Sequence, residues 1–122
     1  MADSKLQIDE RETHGVIVLT LAGQMLLDDG DLVFGRRVND LVARDRLKIL
    51  VDLAAVTAID SSGVGMMAAK LKELRKRGGD MRLLRLTTPG HRLFNVLKLK
   101  TTFEVFDDEA LALRSYEFRP HG

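Results

Sequence analysis

Residues 50–79, LVDLAAVTAIDSSGVGMMAAKLKELRKRGG, decide how the rest of this chain is read. The stretch opens on an apolar, β-branched run and crosses a short segment to Asp60-Ser61-Ser62-Gly63-Val64-Gly65. It then continues into about four turns of helix-forming sequence. Gly78-Gly79 ends that helix, because glycine takes a left-handed C-cap without steric penalty. An Asp-Ser-Ser cluster ahead of a helix places hydroxyls and a carboxylate where the first helical N–H groups lack partners. A phosphate held there meets several donors and the positive end of the helix dipole. Two readings stand side by side: an ordinary N-cap with a spare hydroxyl, and a regulatory phosphorylation site on one of the serines.

Toward the N-terminus, Leu6 to Glu12 alternates apolar and polar residues. His14-Gly15 then leads into Val16 to Leu21, a β-branched run closed by Gly23, so a strand, a tight turn and a more buried strand are expected. Leu26 to Asp31 has turn chemistry, and Leu32, Val33, Val38, Leu41 and Val42 repeat at helical spacing through Ala43. Lys48 to Leu53 reads as a central strand, joined to the Asp-Ser-Ser cluster by Ala54 to Ile59. The helix that follows carries Val64, Met67, Ala68, Leu71 and Leu74 on one stripe, with Lys72, Glu73, Arg75, Lys76 and Arg77 outside it.

Toward the C-terminus, Met81 to Leu86 is another strand. Thr87-Thr88-Pro89 starts a third helix, with a threonine cap, proline near the first helical position and a narrow apolar face of Leu93, Phe94, Val96 and Leu97. A short edge strand, Phe103 to Phe106, precedes a last helix from Glu109 to about Phe118, and Arg119 to Gly122 reads as a frayed tail. Strands alternating with helices imply right-handed βαβ crossovers, while the opening hairpin is antiparallel. The expected fold is α/β: a mixed sheet of about four or five strands with about four helices packed on it. Sites in such sheets lie where strands run into helix N-termini, and the Asp60 region is such a place.

Composition narrows the function. A chain of 122 residues supports one hydrophobic core, hence one domain spanning 1–122 with its core at about 6–118. Nineteen basic against eighteen acidic residues leave a net charge of +1, with no global field to draw nucleic acid or a membrane. No cysteine is present, no apolar run approaches the ~20 residues that span a bilayer, and Met1 to Lys5 lacks a signal-peptide layout. A soluble, cytoplasmic protein is expected. His14, His91 and His121 stand in no nucleophile motif, and neither G-x-S-x-G nor a phosphate-binding G-x-x-x-x-G-K-[ST] occurs. The expectation is a non-enzyme without metal, cofactor or small-molecule substrate; a serine hydrolase is the remote alternative.

With Asp60-Ser61-Ser62-Gly63-Val64-Gly65 between a strand and a helix, the chain resembles the STAS family, specifically the bacterial anti-sigma factor antagonists. Val51-Asp52-Leu53, Arg77-Gly78-Gly79, the Pro89…Leu93-Phe94…Leu97…Leu99 pattern, Phe103 and Asp107-Asp108-Glu109-Ala110 extend the likeness over essentially the whole chain from about Leu6. The resemblance implies a partner-switching regulator. Such an antagonist, unphosphorylated, binds an anti-sigma factor that is also a serine kinase and thereby releases a sigma factor. Phosphorylation of the motif serine, here Ser61, ends the binding, and a serine phosphatase restores it. The full-length resemblance thus favours the phosphorylation reading, with Asp60, Ser62, Gly63 and Gly65 supporting Ser61.

The chain departs from the family in one place. A Gly-Glu-Leu-Asp pattern contributes an acidic residue to the site in studied members, whereas this chain has Gly23-Gln24-Met25-Leu26, with Asp28, Asp29 and Asp31 slightly later. Either the acidic loop supplies the carboxylate from a shifted position, or the chain is an unphosphorylated scaffold or sensor-associated binding domain. Gly23, Gln24 and Met66 are the expected partner contacts. Helical spacing puts Met66 on the Lys70, Glu73 and Arg77 side, which suits a partner contact or, alternatively, a methionine lapping onto the next element. Ser62 is expected to cap the helix or to lie next to the cap, and Gly63 and Gly65 either to allow close backbone approach or simply to pack at the helix start.

Overall fold

A computed structural model describes residues 4–117. Five strands form one sheet in the order β1-β2-β3-β4-β5, and four helices lie between or after them. The strands are β1 (Leu6–Thr13), β2 (Val16–Met25), β3 (Lys48–Ile59), β4 (Asp80–Leu84) and β5 (Val105–Phe106). The helices are α1 (Gly30–Ala43), α2 (Ser61–Lys76), α3 (Thr88–Val96) and α4 (Glu109–Glu117). β1 pairs antiparallel with β2, and every later pairing is parallel. The expected mixed sheet is therefore present. The end of the expected last helix, Phe118, and the Arg119–Gly122 tail lie outside the described residues, as do Met1 to Asp3.

The sheet separates two apolar layers. Phe34, Val38 and Leu41 of α1 and Val64, Met67, Leu71 and Leu74 of α2 bury against Leu19, Leu21, Val51 and Leu53. On the opposite face, Ala112 and Tyr116 of α4 cover Val16, Val18, Leu50 and Leu84, and the Tyr116 hydroxyl donates to the Ile49 carbonyl at 2.7 Å. Strands covered on both faces read as near-continuous apolar runs, as Val16–Leu19 and Ile49–Val51 do.

Three expectations are corrected. Gly23 does not close β2: it lies inside the strand at φ +105°, beside a register shift, and β2 continues to Met25 while β3 continues through Ala54 to Ile59. The two extensions form together because each supplies the other's ladder partner, Gln24 to Ala58 and Met25 to Ile59. Second, α3 buries Phe94 alone of its expected apolar residues and half-buries Leu93. Val96 is 74% exposed and Leu97 37%, and Thr87 stands at the N-cap without a side-chain bond. Third, the edge strand shrinks to two residues, since Phe103 turns inward to meet Phe94 with ring centroids 5.4 Å apart.

Candidate functional site

Two corners meet at one end of the sheet: the turn from β2 into α1 and the turn from β3 into α2. Parallel pairing of β2 with β3 forces both helix N-termini to this end, where Met25 lies opposite Ile59. Asp60 joins the corners. One carboxylate oxygen accepts the Gly63 N–H at 2.9 Å, which caps α2, and the other accepts the Leu27 N–H at 2.9 Å across the gap. Burial pushes the Asp60 carboxyl up, but the N–H groups of Gly63, Leu27 and Ser62 outweigh it and hold the group below the ordinary aspartate range.

Gly63 makes this junction sterically possible. A Cβ there would lie 2.5 Å from the Met25 carbonyl oxygen, so α2 abuts the end of β2 backbone to side. Gly65 makes no close approach: a Cβ at that position meets nothing within 4 Å, and the residue is exposed. Gly23 does provide close approach, since its Cβ would fall 2.1 Å from the Lys5 carbonyl oxygen, and the Gln24 N–H donates to that same carbonyl at 2.9 Å.

The two serines are not equivalent. Ser61 occupies the first position of α2, is exposed, and among the described residues its hydroxyl makes no hydrogen bond. The Ser62 hydroxyl points the other way and donates to Asp31 Oδ2 at 2.6 Å. Asp31 is 3% exposed, and its other oxygen accepts the N–H groups of Leu32 at 2.7 Å and Asp29 at 3.2 Å. Ser62 is thus not the cap, which is Asp60; it is a tether between α2 and α1. The charge on the acidic loop is also distributed differently from the expectation. Asp28 is exposed at φ +62°, and Asp29 turns back to accept the Lys5 N–H at 2.9 Å, which holds its carboxyl below the ordinary range. Only Asp31 reaches the serine pair, and it reaches Ser62.

Met66 laps onto α1 and keeps part of its side chain exposed. It is half-buried, and its sulfur packs where a Cβ on Gly35 of α1 would sit only 2.8 Å away. The basic residues of α2 also divide. Lys70 donates to Asn39 of α1 at 2.7 Å, and Arg75 bonds Asp80 at 3.0 Å and the Thr102 carbonyl at 3.1 Å. Two residues escaped the sequence reading: Asp31 as the anchor of Ser62, and Leu27, 62% exposed and tied by its N–H to Asp60. The acidic loop itself was a signal for the first; nothing local marks the second. Lys5, Gln24 and residues 26–29 line an open pocket of about 400 Å³ beside them.

His14 meets the hydroxyl of its neighbour Thr13, and among the described residues no histidine bonds Ser61 or Ser62. The β1–β2 turn that carries His14 lies beside the start of β3, at the opposite end of the strand from Ser61 and about 40 Å of extended chain away. His121 lies outside the described residues. Among the described residues, no three His, Asp or Glu side chains converge as metal ligands, and no helix is long and apolar enough to cross a membrane.

The STAS domain model matches residues 7–112. An anti-sigma F factor antagonist of Paenibacillus polymyxa is 28% identical over 112 residues, which cover 92% of this chain and 96% of that protein. The crystal structure of an anti-sigma factor antagonist from Mycobacterium paratuberculosis superposes with a TM-score of 0.83 at 20% identity, over 96% of this chain and 98% of that one. The Bacillus cell fate determinant SpoIIAA, in its phosphorylated form, superposes with a TM-score of 0.69 at 19% identity, over 90% of this chain and 98% of that one. A family match that runs from β1 into α4, on a fold shared with these solved proteins, makes this chain a member of the STAS domain family.

Proposed function

We propose that this chain is an anti-sigma factor antagonist whose partner is an anti-sigma factor serine kinase, and that phosphorylation of Ser61 switches it off until a serine phosphatase reverses the modification. The observation that carries the reading is the asymmetry of the two serines: the Ser61 hydroxyl is exposed and unengaged at the start of α2, while that of Ser62 is bound to a buried carboxylate. The Paenibacillus relative is named for the activity, and SpoIIAA shows that a protein of this fold carries a phosphorylated form.

The physics of the switch lies at the interface. A phosphoserine brings about −1.5 to −2 charges to the first turn of α2, where the helix dipole favours an anion by ~0.3–1 kcal/mol and Asp60 opposes it. These internal effects oppose each other, so the domain is expected to keep its fold. A dianion against a desolvated or acidic partner surface costs several kcal/mol, and ~4 kcal/mol is about a thousandfold in affinity. Leu27, Gly65 and the exposed start of α2 form the surface on which that cost falls.

One observation favours the rival, a constitutive scaffold. Asp31 is buried against Ser62 and Asp29 is turned back to the Lys5 N–H, which leaves Asp28 as the one carboxylate of residues 28–31 without a partner among the described residues. Incubation with the cognate kinase and ATP, read by intact mass, separates the two: a single phosphate that Ser61→Ala abolishes is expected. Ser61→Asp is expected to weaken kinase binding while the melting temperature stays nearly unchanged. Kinase binding without any phosphate transfer establishes the scaffold instead.

A further inference from the structure

The strongest surface feature outside the Ser61 region is a groove of about 550 Å³ on the C-terminal half of α2. Ala68, Leu71, Lys72, Arg75 and Lys76 line it from the helix at i, i+3, i+4, i+7 and i+8, and Thr102 lines it from the segment after α3. Leu71 is sealed at 1% exposure, Ala68 and Thr102 are half-buried, and the lining is predominantly apolar.

The rim is cationic and contains no carboxylate. Arg75 is held in place by Asp80 at 3.0 Å and by the Thr102 carbonyl at 3.1 Å, which fixes the wall between α2 and the 99–102 turn. Lys72 and Lys76 are exposed and, among the described residues, form no ion pair. Glu73, the sole acid of α2, pairs with Lys70 on the α1 side of the helix. Lys98 and Lys100, both exposed, extend the positive charge along the adjoining turn.

From this juxtaposition we infer that the α2–Thr102 groove is a second docking site, which takes an acidic amphipathic helix of a partner protein. Its apolar side chains lie over Ala68 and the aliphatic stems of the basic residues, and its carboxylates meet Lys72 and Lys76. An apolar floor with an all-cationic rim selects against a basic or neutral segment. The site is independent of the state of Ser61. At 1.5 Å per residue the groove spans about 10 to 22 Å along the α2 axis from Ser61, beyond the Debye length of about 8 Å at physiological salt. A partner seated there stays bound while a phosphate at Ser61 dismisses another.

The test uses ¹⁵N-labelled protein and two synthetic amphipathic peptides with leucine at i, i+3, i+4 and i+7, one with glutamate and one with lysine at the remaining positions. The glutamate peptide is expected to give saturable shifts at Ala68, Lys72, Arg75, Lys76 and Thr102 that weaken with added salt; the lysine peptide is expected to give none. Lys72→Glu/Lys76→Glu is expected to lower affinity at least about tenfold. Lys72→Gln/Lys76→Gln gives a smaller loss and keeps the measurement available if the reversal unfolds the domain. Ser61→Asp changes affinity by less than about twofold. Equal shifts with both peptides, none with either, or shifts confined to the Ser61 corner overturn the assignment. Shifts at the groove that grow with protein concentration in the absence of peptide assign it to a second copy and likewise overturn it.

Discussion

Replacing Ser62 by alanine removes one hydroxyl donor from a carboxylate that is 3% exposed. Asp31 Oδ1 keeps the N–H groups of Leu32 and Asp29, but Oδ2 loses its 2.6 Å partner in a place water reaches poorly. A hydrogen bond to a charged group contributes about 1.5–3 kcal/mol, and for a chain of this length each kcal/mol is worth ~4 °C in melting temperature. Ser62→Ala is therefore expected to melt roughly 6–12 °C below the wild type. Ser61→Ala, at an exposed first helical position with no bond to lose, is expected to stay within ~0.5 kcal/mol. Calorimetry of both variants decides the matter. A double-mutant cycle adds specificity: in an Asp31→Ala background the hydroxyl has no carboxylate to serve, so Ser62→Ala there costs less than ~0.5 kcal/mol. If the two alanine variants melt within about 2 °C of each other, the division of labour between the serines is wrong.

Two further outcomes follow from the same corner. Gly63→Ala drives a Cβ to 2.5 Å from the Met25 carbonyl and is expected to destabilise by more than ~2 kcal/mol, whereas Gly65→Ala, with open space around it, stabilises by about 0.5–1 kcal/mol; urea midpoints at equal slope measure both. Asp60 has a folded-state pKa below its unfolded value, so its contribution is present above the ordinary aspartate value near ~4 and is lost as pH falls through the folded value. Asp60→Asn leaves the Leu27 N–H without its acceptor and is expected to cost about 1–2 kcal/mol at pH ~7, a gap that narrows as the pH is lowered below ~4; a constant gap to acid pH contradicts the assignment.

Much of the fold is written in local patterns. Alternation in residues 6–12, the apolar run 16–21, the helical stripe Val64-Met67-Leu71-Leu74 and the glycine after Arg77 each specify an element through side-chain period or backbone freedom, which are properties of the segment itself. The Asp-Ser-Ser cluster likewise announces a helix start. What local pattern leaves open depends on segments about thirty residues away. β3 runs to Ile59 because β2 lies beside it as far as Met25. Ser62 is bound and Ser61 free because α1 brings Asp31 to one side of the α2 start and nothing to the other. Gly63 needs to be glycine and Gly65 does not because the end of β2 touches one of them. Met66 packs on α1 because Gly35 leaves room, while Val96 and Leu97 stay exposed because no described element covers them. Periodicity reports which face of a segment is apolar; only the assembled sheet and helices decide what that face meets, because each contact is made by a partner whose position the segment does not encode.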